Sequence, residues 1–265
     1  MIAERAAVLG LTRDERHGYR WSDGTTATGI LPSVTTIMGV LDKSGPLIGW
    51  AKRITAEAAV DNRDQMAGWV EMAGRDGAIS LLTKAATQKR DKAADVGTRV
   101  HALAESVARG IPVELTEEER PYLKAYQDFL AEWEPQYLAA EEMVVSLKYG
   151  YGGTFDAIVE MADDTWMLDT KTSKGCYPET ALQLAAYTFA DFIGRPADPV
   201  RYRLPDITAY GVLHLRPENG GQYEVIPYDV TPATFEVFLH ALDLYRWRET
   251  ESPKIMGSPL GRAIK

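Results

Sequence analysis

Residues 151–171 read Tyr-Gly-Gly-Thr-Phe-Asp-Ala-Ile-Val-Glu-Met-Ala-Asp-Asp-Thr-Trp-Met-Leu-Asp-Thr-Lys, and Asp156, Asp169 and Lys171 interrupt their apolar runs. Two apolar halves separated by the polar stretch 162–165 predict a β-hairpin. With the turn centred on Asp163-Asp164, Met161 faces Trp166, Ile158 faces Asp169 and Asp156 faces Lys171. Side chains alternate along a strand, and opposed residues share a face. Asp156, Asp169 and Lys171 therefore fall on one face. Phe155, Ala157, Val159 and Leu168 fall on the other, which packs into a core. A one-residue slip would carry Asp156 across and dissolve the cluster. Two carboxylates and a lysine on a half-buried face are costly unless they pair or hold a metal. The alternative is a plain surface hairpin whose charge pairs contribute little.

Other residues with chemical capacity lie on flanking elements. The spacing predicts a helix over 91–108, ended by Gly110, with Val96, Val100, Leu103 and Val107 as its apolar stripe. His101 lies beside that stripe, with Gly97 one turn before it and Glu105 one turn after. A histidine there serves as a structural hydrogen-bonder or as a metal ligand. Gly97 lets another backbone approach, at a cost in helix propensity. Gln183 and Tyr187 are four apart and share a face of a helix over 179–192, which packs through Leu182, Ala185, Ala186 and Phe189.

The remaining elements must position these groups. A short hairpin is expected over 18–23, and Ser33 caps a short helix after Pro32. Helices follow from residue 44 and over 64–87. Thr116-Glu117-Glu118-Glu119 is a capping box opening a helix that Pro135 stops. Residues 142–148 read as a strand feeding the hairpin; 207–215 and 222–228 form an antiparallel pair. Thr231-Pro232 opens a last helix to about 247. Helices, three strands, helix, two strands, helix imply an α/β fold, a mixed central sheet flanked by helices. Residues 1–90 form a mainly helical N-terminal region packed on a core over 91–265.

Composition narrows the class. The apolar fraction is 45% and the charged fraction 25%, as in soluble globular domains. No apolar stretch is long enough to span a bilayer, and no signal-peptide pattern opens the chain. Cys176 is the single cysteine, which excludes an internal disulfide and any multi-cysteine zinc or iron–sulfur site and points to an intracellular, cytoplasmic location. A net charge of −9 argues against a protein that coats duplex DNA, so a nucleic-acid role needs a local groove or metal ions.

Taken in order, Gly97-Thr98-x-x-His101, Gly153-Thr154-Phe155-Asp156, Asp169-Thr170-Lys171 and Gln183-x-x-x-Tyr187 closely resemble the RecB-like exonuclease branch of the PD-(D/E)XK nuclease superfamily. The similarity covers about residues 91–192; Pro32-Ser33-Val34-Thr35 and the last strand pair with its helix look like phage-encoded members. The resemblance implies a restriction-endonuclease-like core. It implies that Asp156, Asp169, His101 and the Thr170 carbonyl bind catalytic Mg²⁺ or Mn²⁺, and that Lys171 orients or deprotonates the attacking water. Gln183 and Tyr187 would position the strand, with Glu105 and Glu142 as auxiliary carboxylates. Hard oxygen ligands suit these ions, and a histidine favours Mn²⁺.

Relatives that carry four cysteines hold an iron–sulfur cluster; this chain has one cysteine, so none is expected. No GxxxxGK[S/T] loop is present, so no helicase motor is expected. The implied activity is a stand-alone DNA exonuclease on single strands or ends, in the host cytoplasm if phage-encoded, beside a recombinase or single-strand annealing protein and away from membranes. A structure-selective endonuclease and an idle DNA-end-binding accessory protein are the alternatives. Arg99, Lys148 and Lys174 are candidate phosphate contacts. Tyr149, Tyr151 and Tyr187 are candidate stacking faces for unpaired bases.

Overall fold

The computed structural model describes residues 9–108 and 114–260, without the side chains of Ala104, Glu105, Val107 and Ala108. The chain opens with an antiparallel hairpin, β1 (Gly10–Arg13) and β2 (Tyr19–Ser22). The hairpin expected over 18–23 therefore begins earlier, and Asp23-Gly24 closes a second tight turn in which Ser22 bridges Ala27. Ser33 caps α1 (Val34–Met38), its Oγ accepting the Thr36 N–H at 3.0 Å. Two long helices follow, α2 (Ser44–Asp61) and α3 (Met66–Ala108). α3 kinks at Gly74, where φ is 70°, and then runs on through residue 90. The boundary expected at residue 90 thus falls inside a helix, and Gly110 lies outside the described residues. After α4 (Arg120–Trp133), Glu134 turns left-handed at φ 45° and Pro135 follows, ending the helix where expected.

Three antiparallel strands then carry the central hairpin: β3 (Gln136–Ser146), β4 (Tyr151–Met161) and β5 (Asp164–Lys171). The chain crosses over through α5 (Thr180–Thr188), β6 (Phe192–Arg195) and β7 (Asp198–Tyr202). It returns as β8 (Ala209–Arg216), parallel to β5, and β9 (Gln222–Pro227) completes a seven-stranded mixed sheet in the order β7-β6-β3-β4-β5-β8-β9. A parallel pair needs such a crossover, whereas its antiparallel neighbours close through short turns. The last long helix, α6 (Pro232–Arg246), starts at the expected Thr231 cap. α7 (Ser252–Ile255) follows.

α1, α5 and α6 cover one sheet face through Val34, Ile37, Leu184, Phe235 and Phe238. α3 and α4 cover the other through Val100, Leu123, Tyr126 and Phe129. Strands enclosed on both faces lose the apolar–polar alternation of a half-exposed strand, which is why β5 and β8 read as apolar runs. The fold is α/β with a mixed central sheet between helices, as expected. No helix among the described residues is long and apolar enough to cross a membrane.

Two details of the central hairpin depart from expectation. Its turn is Ala162-Asp163, both left-handed at φ 51° and 66°, so Met161 pairs with Asp164 and Val159 with Trp166. Such paired left-handed residues match the twist of the flanking strands. The register therefore differs by two positions, an even shift that by itself moves no residue to the other face. Phe155 does change sides: it joins the cluster beneath α5 and α6, while Ala157, Val159 and Leu168 pack under α3 and α4.

Candidate metal centre

The ladders on both sides of β4 give way at Asp156. Toward β5 the registered pairs stop at Ala157–Leu168, and the Asp156 Oδ2 takes the Thr170 N–H at 2.6 Å in place of a strand partner. Toward β3 the pairs run Ala140–Ala157 and then Glu142–Phe155, with Glu141 left-handed at φ 53° between them. A non-glycine residue held there costs on the order of 1–3 kcal/mol, and such strain collects at functional sites. The local twist explains the displaced Phe155 and brings the Glu141 carboxylate toward Asp156.

α3 supplies the third donor. His101 Nδ1 lies 3.4 Å from Asp156 Oδ2. One donor atom each from His101, Glu141 and Asp156 fall within 4.8 Å of one another. The helix approaches because Gly97 has no side chain: a Cβ there would meet Thr172 Oγ1, just beyond Lys171, at 3.1 Å.

Asp169 is buried on the same side of the hairpin. Its Oδ2 lies 2.7 Å from Lys171 Nζ, and its Oδ1 accepts from Gln183 Nε2 at 2.8 Å. Gln183 also donates to the Tyr187 hydroxyl at 3.2 Å. Burial pushes the Asp169 carboxyl up to about 6; the Asp156 charge adds to this and Lys171 opposes it. Burial pulls the Lys171 ammonium down, but the Asp169 carboxylate outweighs it and the net shift is upward.

Carboxylates from three strands thus meet a histidine and a lysine at this cleft. The His101, Glu141 and Asp156 donors fit a hard divalent cation, two carboxylate oxygens with one imidazole nitrogen, at separations compatible with ligand bonds of about 2.1 Å. Around them lies a cleft of about 390 Å³ lined also by Arg13, Tyr19, Ser33, Thr35 and Thr98. A smaller cavity of about 30 Å³ lies beside Asp156, Glu141 and His101, bounded by Tyr126 and Tyr137. The hydroxyls of those two tyrosines hydrogen-bond at 2.6 Å.

The expected residues divide clearly. His101, Asp156, Asp169, Lys171, Gln183 and Tyr187 all line the cleft, and Thr170 lines the smaller cavity. Glu142 does not join them: it pairs with Arg195 at 2.8 Å, and its neighbour Glu141 occupies the site. The Glu105 side chain lies outside the described residues. None of Arg99, Lys148, Tyr149, Tyr151 and Lys174 is among the cleft-lining residues. Arg99 is held 2.5 Å from the buried Glu119 carboxylate. Lys148 lies over the Tyr149 ring, which itself packs on Phe235. Tyr151 is fully buried, donating its hydroxyl to the Ala186 carbonyl at 2.8 Å, and Tyr187 is 3% exposed. Neither ring is open to stacking by a base. Lys174 is exposed beside Cys176 in a separate groove.

No known family model matches this sequence, and no curated protein matches it.

The glycine pair at the start of β4 has a packing reason. A Cβ on Gly152 would meet the Tyr19 ring at 2.7 Å; one on Gly153 would meet the Tyr187 ring at 2.4 Å. Gly153→Ala is expected to cost about 1–3 kcal/mol in urea unfolding, as overpacking does. Trimming the ring in a Gly153→Ala/Tyr187→Leu double variant should recover part of that loss; strict additivity of the two changes would exclude the contact as the cause.

Proposed function

We propose that this chain is a metal-dependent deoxyribonuclease of the RecB-like, PD-(D/E)XK type, with Glu141, Asp156, Asp169 and His101 holding Mg²⁺ or Mn²⁺. The observation that carries the reading is the meeting of Asp156, Asp169, Lys171 and Gln183, from three separate elements, with a helical histidine in one cleft. The bound ion would polarise the scissile phosphate and favour hydroxide at neutral pH.

The chain's own groups do the rest. Gln183 fixes Asp169 through one carboxylate oxygen, and Tyr187 in turn fixes Gln183. Lys171, its ammonium favoured by Asp169, donates hydrogen bonds at Nζ to the attacking water or to a non-bridging phosphate oxygen. It therefore acts as an orienting cation, not as the base. Water adds its oxygen to phosphorus and releases a proton to solvent, the bond to the leaving sugar oxygen breaks, and that oxygen takes a proton from solvent.

The test compares linear single-stranded, linear duplex and closed circular DNA with Mg²⁺, Mn²⁺ or EDTA. The expected result is loss of linear DNA from its ends with either ion, none with EDTA, and intact circles. Cleaved circles would mean an endonuclease; no cleavage of any substrate would leave an idle DNA-end-binding protein and overturn the nuclease reading.

A further inference from the structure

We infer that Arg13, on the β1–β2 hairpin, anchors a backbone phosphate next to the scissile one, so that the cleft accepts a single nucleic-acid strand. This rests on the nuclease reading of the same cleft.

The argument begins with charge. Lys171 is held by Asp169 at 2.7 Å, and His101 stands 3.4 Å from Asp156. Arg13 lines the same cleft but forms no ion pair with a carboxylate among the described residues. Its guanidinium contacts the His17 ring nitrogen and lies 6.0 Å from the centroid of Tyr19. A planar guanidinium with free donors grips a phosphate bidentately.

The hairpin holds that guanidinium on a fixed support. Gly10 packs so tightly on the β6–β7 corner that a Cβ would meet the Arg195 carbonyl oxygen at 2.1 Å. Ala197 donates its N–H to the Leu9 carbonyl at 3.0 Å, and Leu11 and Trp21 are buried against Phe192. Tyr19, paired with Arg13 across the hairpin, bonds Thr154 Oγ1 at 2.8 Å, two residues before Asp156. The hairpin is thus a rigid wall facing the carboxylates. A cleft of about 390 Å³ is of the size that encloses one small ligand. The β1–β2 hairpin supplies Arg13 and Tyr19 to its lining, which sets the guanidinium beside the carboxylates.

The test uses the full chain with Mn²⁺ and two substrates: a single-stranded octanucleotide, and bis(p-nitrophenyl) phosphate, which has only the scissile phosphodiester. Arg13→Gln is expected to raise KM for the octanucleotide about tenfold or more with kcat changed by less than about threefold. Its kcat/KM loss on the small diester should be about tenfold smaller. In Ca²⁺, the salt slope of octanucleotide affinity should fall by about one. Arg13→Lys, keeping the charge without the fork, should recover part of the affinity. Unchanged KM and salt slope in Arg13→Gln, with wild-type cleavage intact, overturn the anchor. Equal losses on both substrates overturn it in favour of a role in the chemistry. A wild-type protein that cleaves neither substrate removes the nuclease reading, and the anchor with it.

Discussion

On the nuclease reading, Asp156→Asn is expected to reduce metal-dependent cleavage about a thousandfold or more, while the metal-free variant should unfold at the same temperature as wild type or a higher one. The first half follows from position. Asp156 sits beside His101 and Glu141 and accepts the Thr170 N–H, so one carboxylate joins the donor cluster to the β5 backbone. The second half follows from charge. The asparagine side-chain oxygen still accepts the Thr170 N–H, so the backbone contact survives. What is lost is the negative charge that helps hold Asp169 at about 6. A carboxyl raised above its unfolded value favours the fold below that unfolded value, near 4, and loses this contribution as pH rises through about 6. At neutral pH the raised Asp169 therefore destabilises the metal-free protein. Removing the Asp156 charge relieves part of this. The measurement is thermal unfolding with and without Mn²⁺, beside single-turnover cleavage. Wild-type protein should gain about 5–10 °C at a hundredfold excess over Kd, most strongly above pH 6, and the variant little. Undiminished cleavage, or an undiminished metal shift, by purified Asp156→Asn would sink the assignment.

The face of the hairpin was legible because strand alternation has a period of two. A two-position difference in register leaves Asp156, Asp169 and Lys171 together, whichever turn is chosen. The turn itself was not legible: Ala162 is a poor advertisement for a left-handed residue, and Asp163-Asp164 looked equally suitable. Glu141 was missed for a related reason. In a regular strand Glu141 and Glu142 point to opposite faces, and only the left-handed backbone at Glu141 decides which carboxylate meets Asp156.

β6 and β7 were missed because they are 4 and 5 residues long and their sequence is interrupted by Pro196 and charged residues. Their pairing depends on β3 and on the N-terminal hairpin, which are far away in sequence. The same non-locality concealed Arg13. The aromatic expectations met packing instead: Tyr151 is buried against Phe238, and the half-buried Tyr149 packs edge-on against Phe235. By contrast Gly97, Gln183 and Tyr187 were legible because helical spacing alone sets which of their neighbours share a face.

Lys171→Ala should separate chemistry from binding and from folding in one variant. Its ammonium is 2.7 Å from Asp169 and sits in the cleft, so on the nuclease reading its loss would remove a cation beside the reacting phosphate. Turnover is expected to fall about a hundredfold to a thousandfold, as when one preorganised donor is removed from a reacting centre. Octanucleotide affinity in Ca²⁺ should change less than about threefold, because Arg13 and the bound ion remain. The folding signature has the opposite sign to that of Asp156→Asn. Lys171 is what opposes the upward push on Asp169; without it a buried carboxylate stands unpaired and its carboxyl rises further. The metal-free variant should therefore be less stable than wild type, the deficit being larger at pH 8, where Asp169 must ionise, than at pH 5, where it stays protonated. Mn²⁺ should restore much of that stability without restoring turnover. If instead affinity collapses while the rate per bound strand stays normal, Lys171 is a phosphate anchor only. If the deficit is equal at both pH values, the Asp169–Lys171 pair is not what couples the site to the fold.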